Sequence, residues 1–187
     1  MKKLKLIFEK LQDRGRVRRI VTNWKTEVKE WFLALIIGVA VIALIRTTLF
    51  TTYHIHGDSM LPTLHSQDQV VVSLLSSVEA GDVVIVERDN EKDIVKRVIG
   101  IPGDTLQFQE DGVYRNGEKV NETYLQDREW SFEQMTITLQ EDAYFVMGDN
   151  RDQSLDSREL GTFSSKEIVG EVKLVYFPFT HLSWIHY

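Results

Sequence analysis

The chain contains no cysteine. That absence removes disulfide scaffolds, thiolate zinc sites and thiol nucleophiles together, and it leaves the compartment open, because a cysteine-free domain can sit on either side of a membrane. There is no internal repeat and no low-complexity segment. Positive charge is not in excess either: 22 Lys and Arg stand against 28 Asp and Glu, a formal net charge of −6, which argues against nucleic acid as a partner. What is present suits a folded protein of about one domain rather than a disordered one: 187 residues, 43% apolar and 10% aromatic.

The net charge conceals a division. Residues 1–30 carry ten basic side chains (Lys2, Lys3, Lys5, Lys10, Arg14, Arg16, Arg18, Arg19, Lys25, Lys29) and four acidic ones (Glu9, Asp13, Glu27, Glu30), or +6. The rest of the chain carries 12 basic and 24 acidic groups, or −12. The step falls at Trp31–Ile45, 15 residues without a charge, followed by Arg46, Thr47, Thr48, Leu49 and Phe50. As a helix, residues 31–50 measure about 30 Å, the thickness of a bilayer's hydrocarbon core. A buried core helix is the alternative. Trp31 and Tyr53 as interfacial aromatics, the basic block before the run, and Arg46 within snorkelling reach of its end favour the span. The expected organisation is a cytoplasmic basic segment (1–30), a transmembrane anchor (31–52) and an extracytoplasmic domain (53–187). A removable signal peptide fits poorly, since about 30 residues precede the run and no clean small-x-small site comes after it.

After His56 the pattern turns to strand-length apolar runs: Val70–Leu75, Val83–Arg88, Asp93–Ile101, Thr105–Gln109, Tyr144–Met147 and Val172–Phe177. Gly-Asp pairs punctuate them at 81–82, 103–104 and 148–149. Residues 113–120, with Asn116-Gly117 at the centre, read as a hairpin with a primed turn, and 89–92 as a connection between two antiparallel strands. Ser164 with Glu167 reads as the capping box of one short helix. The expected fold is mainly β, antiparallel, behind a single N-terminal transmembrane helix.

Three segments carry possible chemistry. In His56-Gly57-Asp58-Ser59-Met60-Leu61-Pro62-Thr63-Leu64, Gly57 permits sharp backbone geometry and Pro62 stiffens the chain after the serine, although Gly-Asp-Ser is also a common loop. Ser59 lies about nine residues beyond the span, so an extended chain keeps it within roughly 30 Å of the bilayer. In Ile94-Val95-Lys96-Arg97-Val98-Ile99, the period of two puts Lys96 on one face and Arg97 on the other, so one cation points to an apolar side unless the strand is at an edge. A lysine so placed loses hydration; a fall of about three pKa units leaves much of it neutral, able to take a proton from a serine. A solvated or ion-paired lysine is the plain alternative. The third segment, Gly148–Gly161, spaces Asp and Arg like a calcium loop but fails the EF-hand pattern at Arg151 and Leu155. Asp149 with Arg151, and Asp156 with Arg158, read as charge pairs that fix a rigid turn and aim Ser154. His54, His56, His65, His181 and His186 show no metal-ligand spacing, and no metal or cofactor is expected; a Ser-His-Asp triad ranks below serine with lysine. His54 and His56 read as flanking the membrane surface.

Taken in order, the anchor, residues 57–64, Gly81-Asp82-Val83-Val84, residues 96–104 and the Gly148–Gly161 segment resemble the bacterial type I signal peptidases, membrane-anchored Ser/Lys proteases. The resemblance implies Ser59 as nucleophile, Lys96 as general base, and Asp149, Arg151, Ser154, Asp156 and Arg158 as supports of the lysine and the site. It implies signal peptides of exported preproteins as substrates and the lipid bilayer as the setting. Gln153 stands where many relatives have Asn, and Gly57 where some place a Ser that assists the oxyanion hole, so only the Ser59 N–H is assigned to that role. The cap insertion of such enzymes, about 106–141 here, is expected to shrink to little more than the Asn116-Gly117 hairpin.

Met60, Leu64, Ile94 and Val95 are candidates for shallow pockets that exclude bulky side chains, with plain core packing as the alternative. The aromatic stretch Val175–Tyr187 suits either a final core strand or the headgroup layer. Two rival functions are a non-catalytic relative acting as an assembly factor outside the membrane, and a self-cleaving Ser/Lys repressor. Retention of both Ser59 and Lys96 argues against the first, and a basic N-terminus running into an apolar span argues against the second.

Overall fold

The computed structural model describes residues 2–89, 91–125 and 134–185, and in its first helix the side chains at 24, 26–46, 48 and 49. It divides into two compact units, Met1–Thr47 and Thr48–Tyr187.

The first unit is helix α1, Lys2–Leu49. Within it Thr26–Arg46, 21 residues of mean hydropathy 2.3, are long and apolar enough to cross a membrane, with none of the stretch buried. Trp31, Phe32, Leu35 and Ile42 are among its exposed side chains. The helix stops three residues short of the expected anchor end at 52. Phe50-Thr51-Thr52-Tyr53-His54 is aromatic and β-branched and goes instead into strand β1 (Phe50–His54), alternating exposed and half-buried positions.

The second unit holds two antiparallel sheets. The larger is formed by β1, β2 (Gln69–Ser73), β3 (Val83–Val86), β4 (Ile94–Gly100), β9 (Phe145–Met147), β10 (Ile168–Phe177) and β11 (Ser183–Trp184), in the order β1-β2-β10-β3-β4-β9 with β11 also on β10. The ten-residue β10 pairs with β3 through Ile168–Glu171 and with β2 through Glu171–Phe177, so it stands between the hairpin β1-β2 and the hairpin β3-β4. The smaller sheet has the order β7-β6-β5-β8: β5 (Thr105–Gln109), β6 (Gly112–Arg115), β7 (Glu118–Lys119) and β8 (Met135–Thr138). Asn116 and Gly117 have φ of 54° and 85°, the positive pair that a primed hairpin turn needs. This region is therefore more than the hairpin expected. Leu106, Phe108 and Val113 pack with Ile99, Leu139, Phe145 and Met147 into a core of its own.

The larger sheet is covered on both faces at its centre. Val83 and Ile85 join Ile55, Met60, Leu64, Val70, Val72 and Val95 on one side, while Val84 and Val86 join Val98, Val146 and Phe163 on the other. A strand buried on both faces reads as a continuous apolar run, which Val83-Val84-Ile85-Val86 is. The Ser164–Glu167 box is present but caps a turn, not a helix: the Ser164 N–H and Oγ both reach Glu167 Oε2 at 2.7 Å, and β-branched Ile168 and Val169 carry the chain straight into β10.

Candidate active site

Ser59 sits in a loop tied off at its base. Ile55 is buried, its N–H donates to Asp68 O (2.8 Å) and its carbonyl accepts from the Gln67 N–H (2.9 Å), which closes residues 56–67 into a compact excursion between β1 and β2. Met60 and Leu64, 1% and 0% exposed, plug this loop into the core. Ser59 itself is half-buried, and Gly57 has φ +84°, a conformation that glycine adopts without strain. Residues 148–150 brace the serine from the other side: the Asn150 N–H donates to Ser59 O (3.0 Å) and Asn150 Nδ2 to Asp58 O (3.1 Å).

Lys96 reaches this loop from the middle of β4. It pairs across the sheet with Val84, whereas Arg97 pairs with Val83, so the two side chains leave opposite faces as the alternation requires. Both are buried, each 3% exposed, since the sheet is covered on both sides here. The Lys96 Nζ lies 2.7 Å from Ser59 Oγ and 2.8 Å from Val95 O. Burial lowers its pKa from 10.5 to about 8; Asp156 and Asp149 oppose the fall, and Arg158 and Arg88 add to it.

The Gly148–Gly161 segment organises itself differently from the pairing read in sequence. Asp149 does not pair with Arg151. Its two carboxylate oxygens take the Nε and Nη2 of Arg97 (2.8 and 2.7 Å), and Thr63 Oγ1 donates to it as well. This ion pair is buried, 3% and 0% exposed at the two side chains, with the guanidinium 4.0 Å over the Tyr124 ring and a further bond to Gly81 O at 2.7 Å. Arg151 instead holds Gly148 O (3.0 Å) and pairs with Glu122. The second expected pair is present: Arg158 Nε and Nη2 hold the carboxylate of Asp156 at 2.8 and 2.9 Å. Asp156 also accepts from Ser154 Oγ (2.7 Å) and the Gly148 N–H (2.9 Å). Burial raises its pKa, but the bonds from Arg158, Ser154 and Gly148 outweigh that, and the carboxyl stays below its usual range. Ser154 and Gly148 are in close register, since a Cβ on Gly148 would lie 2.2 Å from Ser154 Oγ and 2.4 Å from Ser59 O. Gln153 is exposed in the 3-10 turn Arg151–Gln153, so its departure from Asn faces solvent.

A groove of about 410 Å³ opens beside the serine, with apolar walls from Tyr53, Ile55, Ile85, Ile94 and Val95 and polar ones from Ser59, Lys96, His54, His56, Lys92 and Asp93. Of the four pocket candidates, Ile94 and Val95 line this groove, while Met60 and Leu64 pack into the core. Arg97, Glu122, Thr63 and Tyr124, which the sequence reading left out, all belong to the support of the Asp149 loop; adjacency to Lys96 was the signal for Arg97. In the C-terminal stretch, Val175 is buried, but Phe177, Phe179 and Trp184 are 44%, 79% and 69% exposed. His186 and Tyr187 lie outside the described residues.

The family model described as "Signal peptidase, peptidase S26" matches residues 28–177. The chain is 42% identical over 175 residues to signal peptidase I of Bacillus amyloliquefaciens, covering 86% of this chain and 94% of that protein. It is 39% identical to signal peptidase I S of Bacillus subtilis (84% and 94% covered) and 32% identical to signal peptidase IB of Staphylococcus aureus (86% and 95%). A crystal structure of a signal peptidase I from Enterococcus faecalis aligns at a TM-score of 0.46 and 28% identity, covering 51% of this chain and 97% of the other.

Proposed function

The chain belongs to the signal peptidase family, peptidase S26, and from that premise we propose that it is a membrane-bound endopeptidase that removes signal peptides from exported preproteins with a Ser59–Lys96 dyad. The observation that carries the reading is the 2.7 Å approach of a buried lysine, its pKa lowered to about 8, to a serine hydroxyl at the wall of an apolar groove.

In the neutral form Lys96 Nζ accepts the Ser59 proton as Oγ attacks the scissile carbonyl. The Ser59 N–H donates to the oxyanion. Lys96 then returns the proton to the departing amine as the C–N bond breaks, leaving an acyl-enzyme. Water, deprotonated by Lys96, attacks the ester, and the serine recovers its proton as the cleaved segment leaves. The bond from Lys96 to Val95 O holds the amine in place between these transfers. Ser154, Asp156 and Arg158 hold Gly148, just after β9, against the serine, and the Arg97–Asp149 pair ties the next residue to β4. Ile94 and Val95 narrow the groove beside Ser59, which suits small side chains next to the scissile bond. The Lys and Arg of the 1–30 segment, which precede the span, orient Thr26–Arg46 with the N-terminus cytoplasmic and the catalytic unit outside.

The test is processing of an exported preprotein in detergent by the wild type, Ser59→Ala and Lys96→Ala proteins. Cleavage by the wild type with a loss of at least about 10³-fold in each variant is the expected result. Full processing by Lys96→Ala refutes the dyad, and an inactive wild type favours the assembly-factor reading.

A further inference from the structure

Away from the serine, the fold brings together three side chains that sequence spacing keeps apart. His65 and Asp68 come close together in the loop that leads into β2, and His181, 113 residues beyond Asp68, arrives on the 3-10 turn Phe179–His181 after β10. One ligand atom from each lies within 4.8 Å of the others. His181 Nδ1 is 2.9 Å from Asp68 Oδ1, His65 Nδ1 is 3.9 Å from Asp68 Oδ2, and the two imidazole rings stand 4.6 Å apart.

Asp68 is 1% exposed, an expensive place for a carboxylate. Among the described contacts its charge meets no lysine or arginine. It accepts from the His65 N–H at 2.8 Å and is otherwise faced by the two imidazoles. The backbone on either side is fixed, with the Asp68 N–H on His65 O (3.1 Å) and Asp68 O on the Ile55 N–H. Two imidazole nitrogens and one carboxylate are the donor set of a zinc-class cation. The two histidines approach different oxygens of the carboxylate, His181 Nδ1 at Oδ1 and His65 Nδ1 at Oδ2, so Asp68 can meet one ion between them through either oxygen or both. The histidine side chains are 47% and 40% exposed, so an ion can enter from solvent and keep a water as its fourth ligand.

We propose that His65, Asp68 and His181 form a site for one zinc-class divalent cation that clamps the segment after β10 to the loop carrying Ser59. The ion supplies the positive charge that buried Asp68 lacks. Because Asp68 is bonded through its backbone to Ile55, which lines the groove, the clamp stiffens the groove's floor from behind.

The test uses the full chain in detergent, without a polyhistidine tag and stripped by a chelator, titrated with cobalt(II) and then zinc(II). One equivalent of cobalt gives the visible absorption of a low-coordinate nitrogen and oxygen site, and zinc abolishes it by displacement. His65→Ala and His181→Ala each weaken binding by more than the roughly tenfold to hundredfold that losing an outer-shell partner costs, whereas the double variant His54→Ala/His56→Ala binds as the wild type does. Zinc raises the melting temperature of the wild type and leaves that of His181→Ala unmoved. His65→Gln and His181→Gln, which keep a hydrogen-bonding side chain, repeat the measurement should either alanine protein fold poorly. No saturable binding, or equal binding by the wild type and the histidine variants, overturns the proposal.

Discussion

In the proposed dyad Lys96 sets the acidity at which the site works. With its neutral form as the proton acceptor, kcat/KM is expected to rise with pH, bend near pH 8 and level above it. A profile flat from pH 6 to 9 (about two units below and one above the bend) counts against Lys96 as base. The same shift is a stability statement. A lysine whose pKa is 10.5 in the unfolded chain and about 8 in the fold makes the unfolded state bind more protons between those values. Stability therefore increases with pH across that window, by about 3 kcal/mol for the full shift. Lys96→Met is expected to be inactive yet to unfold at a higher temperature than wild type at pH 7 (about one unit below the lysine's folded pKa), with the gap closing toward pH 10.5, as calorimetry across that range will show. Gly148 is limited by space: a new methyl would lie 2.5 Å from Ser154 Cβ and 2.4 Å from the Ser59 carbonyl oxygen, and neither atom can turn away without a shift of the backbone that holds the proposed nucleophile. Gly148→Ala is expected to lower kcat by about 10²-fold, the loss that accompanies misplacement by about 1 Å, while Gln153→Asn, at an exposed position, leaves kcat unchanged.

Between elements, the Arg97–Asp149 pair joins β4 to the loop after β9. Asp149→Asn keeps the shape but leaves a buried guanidinium without its counter-charge, a change that costs about 3–5 kcal/mol. For a unit of this size the melting temperature should fall by on the order of 10 °C; a fall of only a degree or two means that the pair is dispensable. This pair also marks where sequence reading stops. Its partners are 52 residues apart, and spacing favoured the neighbours Asp149 and Arg151, whose side chains the 3-10 turn sends to different places. The runs that became β3, β5 and β9 were legible because they are short, rich in apolar or β-branched residues and flanked by turn signals. β1 was not, because Phe50–His54 comes straight after an apolar helix with no turn residue between them. Period-two alternation placed Lys96 and Arg97 on opposite faces; it could not tell that both faces are covered. Ser59 and Lys96 themselves stood out by residue type within recognisable segments, whereas Glu122 and Tyr124 have no such signature.

For the molecule as a whole, the missing cysteines are an experimental convenience, since any introduced thiol is the sole one. In intact cells an impermeant thiol reagent is expected to modify Lys166→Cys, at an exposed position of the second unit, and to spare Lys10→Cys until the membrane is opened. The reverse pattern overturns the proposed orientation.

The position of β10 bears on timing. Ser59 hangs from the hairpin β1-β2 and Lys96 from the hairpin β3-β4, and the strand that stands between those hairpins comes after both of them in the sequence. A polypeptide still emerging, complete through Glu167, already owns both residues of the dyad but not the strand that seats one against the other. A chain halted short of Ile168 is therefore expected to lack the proposed activity, although it holds both residues assigned to it.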